Sequence, residues 1–257
     1  MNRIDTLFEK KQDGVLSVYT TAGHPSLEDT PTILESLQKH GVDMVEIGIP
    51  FSDPLADGPV IQQSSQIALR NGMSLKLLFD QLGTIRESVS IPLILMGYLN
   101  PVLQMGMERF LEKCSKVGID GLILPDLPPQ LYASEYRQLF QQFGIYNIML
   151  ITPQTSEERI RQISTLSAGF LYMVADAATT GAKDSIGEHQ VEYFRRIGNM
   201  GLSLPALIGF GISNQQTFDT ACKYARGAII GSAFIKALEG DGSLDERVMN
   251  FVQSIRK

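Results

Sequence analysis

Apolar residues in this chain fall in short unbroken bursts, and most bursts are preceded by an amphipathic stretch that stops at a Gly. The segments KHGVDMVEIGIP, KVGIDGLILPD, QFGIYNIMLITP, LSAGFLYMVAD, NMGLSLPALIGFG and YARGAIIGS all carry this pattern. A Gly after an amphipathic run suits a helix C-terminus, and a short β-branched run that ends at Gly, Pro, Asp or Thr suits a strand. With VLSVYTTAG near the start and SIPLILMGYLN in the middle, the chain offers eight strand candidates. Helical periodicity between them predicts helices over 30–39, 107–116, 157–166 and 214–224, among others.

The strand candidates are apolar throughout rather than alternating, as a parallel sheet covered on both faces requires. Eight strand-helix units favour closure into a (β/α)8 barrel, the TIM-barrel architecture, over an open doubly wound sheet, because closure leaves no apolar edge exposed. A length of 257 residues fits one such barrel, and no low-complexity linker divides it, so a single domain over 1–257 is expected. Residues 1–8, MNRIDTLF, mix charge into their apolar positions and read as a short amphipathic N-terminal helix rather than a secretion signal. Two connections, 52–59 and 176–188, are longer than the rest, and both follow strands. In a barrel that puts them at the C-terminal face, where active sites are built.

Composition narrows the partners. A net charge of -6 with no basic cluster and no Trp argues against a nucleic-acid footprint and against binding to an anionic membrane surface. No apolar run approaches a membrane span, so a soluble cytoplasmic protein is expected. Cys114 and Cys222 each sit in a helical pattern without a neighbouring Cys or paired His, which suggests buried free thiols rather than a disulfide or a zinc site. His24, His40 and His189 lie far apart in no ligand spacing, so no metal site is expected. His40 falls near the end of the helix over 30–39, where a cation is mildly favourable.

The residue that stands out is Glu46, a carboxylate inside the apolar burst Met44-Val45-Glu46-Ile47-Gly48. By strand parity it shares a face with Met44 and Gly48, while Val45 and Ile47 point the other way. If its face lines the barrel mouth, desolvation raises its pKa and suits it to delivering a proton near neutral pH. The alternative is a structural carboxylate bonded to an Arg or a helix N-terminus. Asp57 reads either as a second acid–base group or as part of an Asp-Gly-Pro turn, and Asp53 before Pro54 as a residue that fixes the loop. Near the other end, Gly209-Phe210-Gly211-Ile212-Ser213-Asn214 and Gly231-Ser232-Ala233 follow the seventh and eighth strand candidates and open helices. Gly-rich turns at these two places offer backbone amides to a phosphate, and Thr180-Gly181 after the sixth could add a third edge.

The motifs EIGIPFSDPLADGP, LMGYLNP, PDLP, LITPQTSEERI, TTGA, GFGIS and IIGSAFIK, in that order and spacing, resemble those of the tryptophan synthase α subunit family over essentially the whole chain. The resemblance implies a lyase that splits indole-3-glycerol phosphate into indole and glyceraldehyde 3-phosphate, with Glu46 and Asp57 as the catalytic pair. It places Tyr172 beside the indole ring and Tyr19 where an aromatic caps the substrate, and it makes Thr180 the lid-loop residue that orients Asp57. It assigns Gly181, Phe210, Gly211, Gly231 and Ser232 to the phosphate, held mostly through backbone amides. Asp53 and Pro54 fall at the contact with a partner, a separate β subunit that holds pyridoxal phosphate, condenses indole with serine and joins the α chain in an αββα heterotetramer. No metal or organic cofactor is implied in the α subunit itself. Two other readings are a stand-alone lyase that releases indole, and a barrel that binds a phosphorylated ligand and regulates a partner without turnover. The presence of both Glu46 and Asp57 speaks against the second. His24, Asp176 and the pair Ala178-Thr179 depart from the family pattern, all in loops, where they bear on loop closure and coupling to a partner rather than on the chemistry.

Overall fold

A computed structural model describes residues 1–175, 186–209 and 211–256. Nine strand segments among them form one parallel sheet: β1 (Val15–Thr21), β2 (Met44–Gly48), β3 (Leu93–Met96), β4 (Gly121–Ile123), β5 (Tyr146–Asn147), β6 (Met149–Ile151), β7 (Leu171–Val174), β8 (Ala206–Gly209) and β9 (Gly227–Ile230). Their order around the sheet is β5-β4-β3-β2-β1-β9-β8-β7-β6. The two terminal segments, β5 and β6, are consecutive in the chain and separated by Ile148, whose amide donates to the Leu122 carbonyl at 2.9 Å. They are therefore two halves of a single crossing, one half paired with β4 and the other with β7, and that crossing closes the ring. All eight predicted strands are present, and the fifth is interrupted where it changes partners. This is a TIM-barrel α/β fold.

The segments are apolar on both faces because both faces are covered. Val15, Met44, Ile94, Ile123, Ile148, Leu207 and Ile229 point inward and form one buried cluster. Leu16, Val18, Val45, Ile47, Leu95, Ile208 and Ile230 point outward into a second cluster shared with the helices. Full burial of one such side chain contributes roughly 1.5–3 kcal/mol. The helix Arg3–Lys10 closes the N-terminal end: Asn2 caps it by accepting from the Ile4 amide, Ile4 is fully buried in the inner cluster, and Phe8 packs on Phe170 with ring centroids 6.1 Å apart. This is the amphipathic helix expected from residues 1–8.

The outer helices match the periodicity closely, with Asp29–Lys39, Met107–Lys116, Glu157–Leu166 and Gln215–Cys222 where four helices are predicted. Gly144 ends the helix Arg137–Phe143 at φ +68, a left-handed cap that lets the chain turn directly into β5. The Gly that opens β9 has a different cause. A Cβ on Gly227 would lie 1.9 Å from the Val15 carbonyl oxygen, so this Gly is required by the close approach of β1. Cys114 and Cys222 are free thiols, the first buried and the second half-buried. No helix among the described residues is long and apolar enough to cross a membrane.

Candidate active site

The register of β1 on β2 brings Tyr19 opposite Glu46, with Ser17 one inward position below. Glu46 is fully buried. The Ser17 hydroxyl donates to its Oε1 at 3.2 Å, and among the described residues its Oε2 has no hydrogen-bond partner. No Arg or Lys pairs with it among the described ion pairs, so the bonding of a structural carboxylate is missing. Burial pushes its pKa up to about 8, and the Ser17 hydrogen bond opposes the rise. At neutral pH it is therefore mainly a protonated acid that can release its proton within the working range.

Asp57 stands at the end of the loop after β2, directly before the helix Pro59–Arg70, which Gly58 caps and Pro59 opens. The Gln62 amide group reaches back to the Asp57 carbonyl at 2.8 Å, tying this end of the loop to the helix. The Asp57 side chain is half-buried and accepts a hydrogen bond at Oδ2 from the Tyr98 hydroxyl at 3.0 Å. Burial raises its pKa and the Tyr98 bond lowers it. Asp57 thus lies in the turn that Asp-Gly-Pro suggests and also presents its carboxylate beside the barrel mouth.

Two tyrosines complete the pocket, and each lies across a glycine on the neighbouring strand. A Cβ on Gly48 would fall 2.0 Å from the Tyr19 hydroxyl, and one on Gly209 would fall 2.3 Å from the Tyr172 hydroxyl. Both rings are almost completely buried. The Tyr172 phenol is pushed up first by burial and then by the charges of Glu46, Asp57 and Tyr19, so these four groups share one electrostatic neighbourhood. The Tyr19 phenol is raised by burial and then by Asp57.

At the opposite rim, Gly211 has φ +79 with nothing within 4 Å of a Cβ built on it, an open backbone position that only Gly adopts freely. A Cβ on Gly231 would be 3.5 Å from the Cβ of Tyr19, so this turn borders the same pocket, and Ser232 begins the helix Ser232–Ala237. The turn that opens the neighbouring helix Gln215–Cys222 is capped from within: the Ser213 and Asn214 amides donate to Thr217 Oγ1, and the Thr217 amide donates to the Asn214 side chain. Thr180, Gly181 and Phe210 lie outside the described residues, as do Asp176, Ala178 and Thr179. Asp53 is exposed and Pro54 half-buried on the outer part of the β2 loop, away from Glu46 in the strand below. Sequence reasoning missed Ser17 and Tyr98, and it named Gly48 and Gly209 without the room each makes for a tyrosine ring. Strand parity puts Ser17 on the inward face, and Tyr98 sits inside LMGYLNP directly after a strand, so a signal was present for both. Among the described residues no three His, Cys, Asp or Glu side chains gather as a metal set.

A buried Glu with no ion-pair partner among the described residues, beside a second carboxylate at a barrel mouth, has the chemistry of a proton-transfer site, and comparison with known proteins shows which family the chain belongs to. The sequence profile of the tryptophan synthase alpha chain family matches residues 6–256. The chain belongs to the tryptophan synthase alpha chain family. It is 56% identical over 256 residues to the tryptophan synthase alpha chain of Flavobacterium johnsoniae, covering all of both chains. It is 53% identical over 257 residues to that of Parabacteroides distasonis, again over both full lengths. Among solved structures, the tryptophan synthase alpha chain of Legionella pneumophila superposes with a TM-score of 0.88 at 34% identity, covering 100% of this chain and 96% of the other. A chain of the tryptophan synthase complex of Pyrococcus furiosus superposes with a TM-score of 0.86 at 32% identity, covering 95% of this chain and 98% of that one. The family's reaction, a carbon–carbon lyase step on indole-3-glycerol phosphate, is this chain's reaction, and it serves tryptophan biosynthesis.

Proposed function

We propose that residues 1–257 act as one barrel domain in which Glu46 is the proton donor and Asp57 the electrostatic partner for cleavage of indole-3-glycerol phosphate. The observation that carries this reading is the placement of Glu46, fully buried with one carboxyl oxygen unpartnered among the described residues, where burial pushes its pKa up to about 8. The bond to be broken joins indole C3 to the glycerol chain, and it breaks only when C3 has taken up a proton and the ring has become an electron sink. Glu46 gives that proton. As a carboxylate it then takes the proton of the adjacent glycerol hydroxyl, an aldehyde forms, the carbon–carbon bond opens, and its electron pair restores the aromatic indole. Glu46 ends the cycle protonated, so no net proton is consumed. Asp57, ionised, accepts a hydrogen bond from the ring N–H and stabilises the positive charge that develops there.

Tyr19 and Tyr172 fit the walls of an indole pocket, being buried aromatic rings, the first on the strand next to Glu46 and the second in the same electrostatic neighbourhood. Gly211, Gly231 and Ser232 suit the phosphate end, and Thr180, Gly181 and Phe210 are assigned to the same end on family resemblance. Because protonated indole is its own electron sink, the step needs neither a metal nor an organic cofactor in this subunit. Pyridoxal phosphate belongs to the β subunit. Docking on that subunit in an αββα complex would carry indole directly to the second site. Large apolar side chains exposed near the mouth, Leu55 on the β2 loop and Leu103 on the helix Leu99–Met105, support such a contact, with Asp53 and Pro54 beside it. The free thiols Cys114 and Cys222 suit the cytoplasm. The test is to incubate the purified chain with indole-3-glycerol phosphate and assay indole, then to add the β subunit. Indole release that rises with β, together with co-elution on gel filtration, is the expected result. Indole release unaffected by β would leave a stand-alone lyase.

A further inference from the structure

The loop that presents Asp57 is mostly solvent-facing, with Ser52, Asp53, Leu55 and Ala56 all exposed. A carboxylate that must meet a ring N–H has to be held within a fraction of an ångström, which an exposed loop does not achieve by itself. One side chain from the neighbouring strand connection touches this loop at three points. The Tyr98 ring lies 5.2 Å from the Phe51 ring, its hydroxyl accepts from the Ala56 amide at 3.0 Å, and the same hydroxyl donates to Asp57 Oδ2 at 3.0 Å. Tyr98 is itself buried and stands at the start of the helix Leu99–Met105, where both Asp126 oxygens accept from the Leu99 amide at 2.9 and 3.0 Å. The Ala56 amide occupies a lone pair of the phenol oxygen, so the single phenolic hydrogen is committed to Asp57.

We propose that Tyr98 is a positioning residue for the lyase reaction, clasping the loop after β2 and engaging Asp57 Oδ2 so that Oδ1 is left for the indole N–H. The inference rests on the assignment of Asp57 in the proposed function. The same bond lowers the Asp57 pKa, opposing the burial that raises it, because a donated O–H favours the carboxylate form. The phenol is a durable donor, since its own pKa is pushed up to about 12, chiefly by burial. Among the described residues the other titratable groups that share a field with Asp57 are Tyr19 from β1 and Tyr172 from β7, with Glu46 of β2 beside them, and none of these is bonded to Asp57 in a described contact.

The experiment is a cycle of Tyr98→Phe, Asp57→Asn and the double variant in the full chain, with kcat and KM for indole-3-glycerol phosphate followed across pH. Tyr98→Phe should lower kcat about tenfold to a hundredfold, as loss of a hydrogen bond to a charged group does, and move KM less. Activity needs Asp57 ionised and Glu46 protonated, so the acid limb of the kcat profile should shift to higher pH while the alkaline limb, set by Glu46, stays in place. In the Asp57→Asn background the Tyr98 substitution should cost almost nothing more. Wild-type kcat in Tyr98→Phe, an unmoved acid limb, or an equal loss in both backgrounds overturns the proposal. If Tyr98→Phe does not fold, 3-fluorotyrosine at position 98, a stronger donor of the same shape, should move the acid limb to lower pH, and no movement overturns it as well. A mild Asp57→Asn variant would instead overturn the role of Asp57 itself, so the two failures are distinguishable.

Discussion

At the N-terminal end of the barrel, Asp120 accepts from Arg3 at 2.9 Å, Arg86 at 2.6 Å and the Leu93 amide at 2.9 Å, whereas toward the C-terminal mouth Glu46 has only Ser17 as a donor among the described residues. Asp43, just before β2, is equally well supplied by Lys11, Arg256 and the Leu16 amide. Asp43 and Glu46 are three residues apart, one just before β2 and one in its middle, yet Asp43 has two cationic partners while Glu46 has none among the described residues, where its Oε2 is unpartnered. A carboxylate that holds strands and helices together gains from several donors, whereas one left short of partners on burial has charged and neutral forms closer in free energy, which suits the proton-carrying role proposed for Glu46.

The sharpest way to break this contrast is Glu46→Gln. The amide keeps the size and can still accept from Ser17, but it cannot exchange a proton, so kcat should fall by a factor on the order of a hundred to ten thousand with the fold intact by circular dichroism. The same variant reports on stability. The pKa of Glu46 in the fold, about 8, lies above its ordinary 4.5, so its contribution to stability is complete below about 4.5 and is lost as pH rises through about 8. The stability of Glu46→Gln relative to the parent should therefore grow across that window in denaturant titrations. A difference independent of pH would mean that burial does not raise the Glu46 pKa in the folded protein.

Asp120→Asn tests the N-terminal side of the comparison. It leaves Arg3 and Arg86 facing a neutral group and should cost about 3 kcal/mol of unfolding free energy, with kcat of the folded protein within about twofold of the parent. A large loss of kcat at unchanged stability would erase the distinction between the two ends. A smaller effect is expected at the phosphate rim, where Gly231→Asp brings a negative side chain toward the substrate dianion and should raise KM by roughly tenfold or more while kcat at saturation changes less. An unchanged KM would move the phosphate away from this turn. The smallest effect belongs to Asp53→Ala on the exposed outer loop, which should leave the basal rate nearly unchanged and reduce stimulation by the β subunit a few-fold in a titration of rate against added β.

Much of the architecture was legible because it depends on local pattern. Every one of the eight apolar bursts became a strand, and the helices over 107–116 and 157–166 begin and end where periodicity places them. Inward and outward faces followed from parity, as Met44 and Glu46 against Val45 and Ile47 show. The interruption at Ile148 was not legible, because it arises where the fifth strand passes from the partner on one side to the partner on the other, and nothing in IYNIMLI marks a ring closing. For the candidate site, Glu46 announced itself as a carboxylate in an apolar run, and Asp57 drew its weight from the motif around it.

What the chain determined by itself is the alternation of strand and helix, the face to which each strand residue points, and the presence of one carboxylate inside an apolar strand and another on the loop after it, since these depend on residue type and spacing over a few neighbours. The tertiary structure alone decided which groups those carboxylates would meet. Ser17 reaches Glu46 from 29 positions away, Tyr98 reaches Asp57 from 41, and the Tyr19 and Tyr172 rings occupy space that a Cβ on Gly48 or Gly209 would fill. Arg3 and Arg86 reach Asp120 across 117 and 34 positions. The protonation state of a carboxylate is set by the solvent it loses and the donors it gains, and both are properties of the packed barrel rather than of any stretch of sequence.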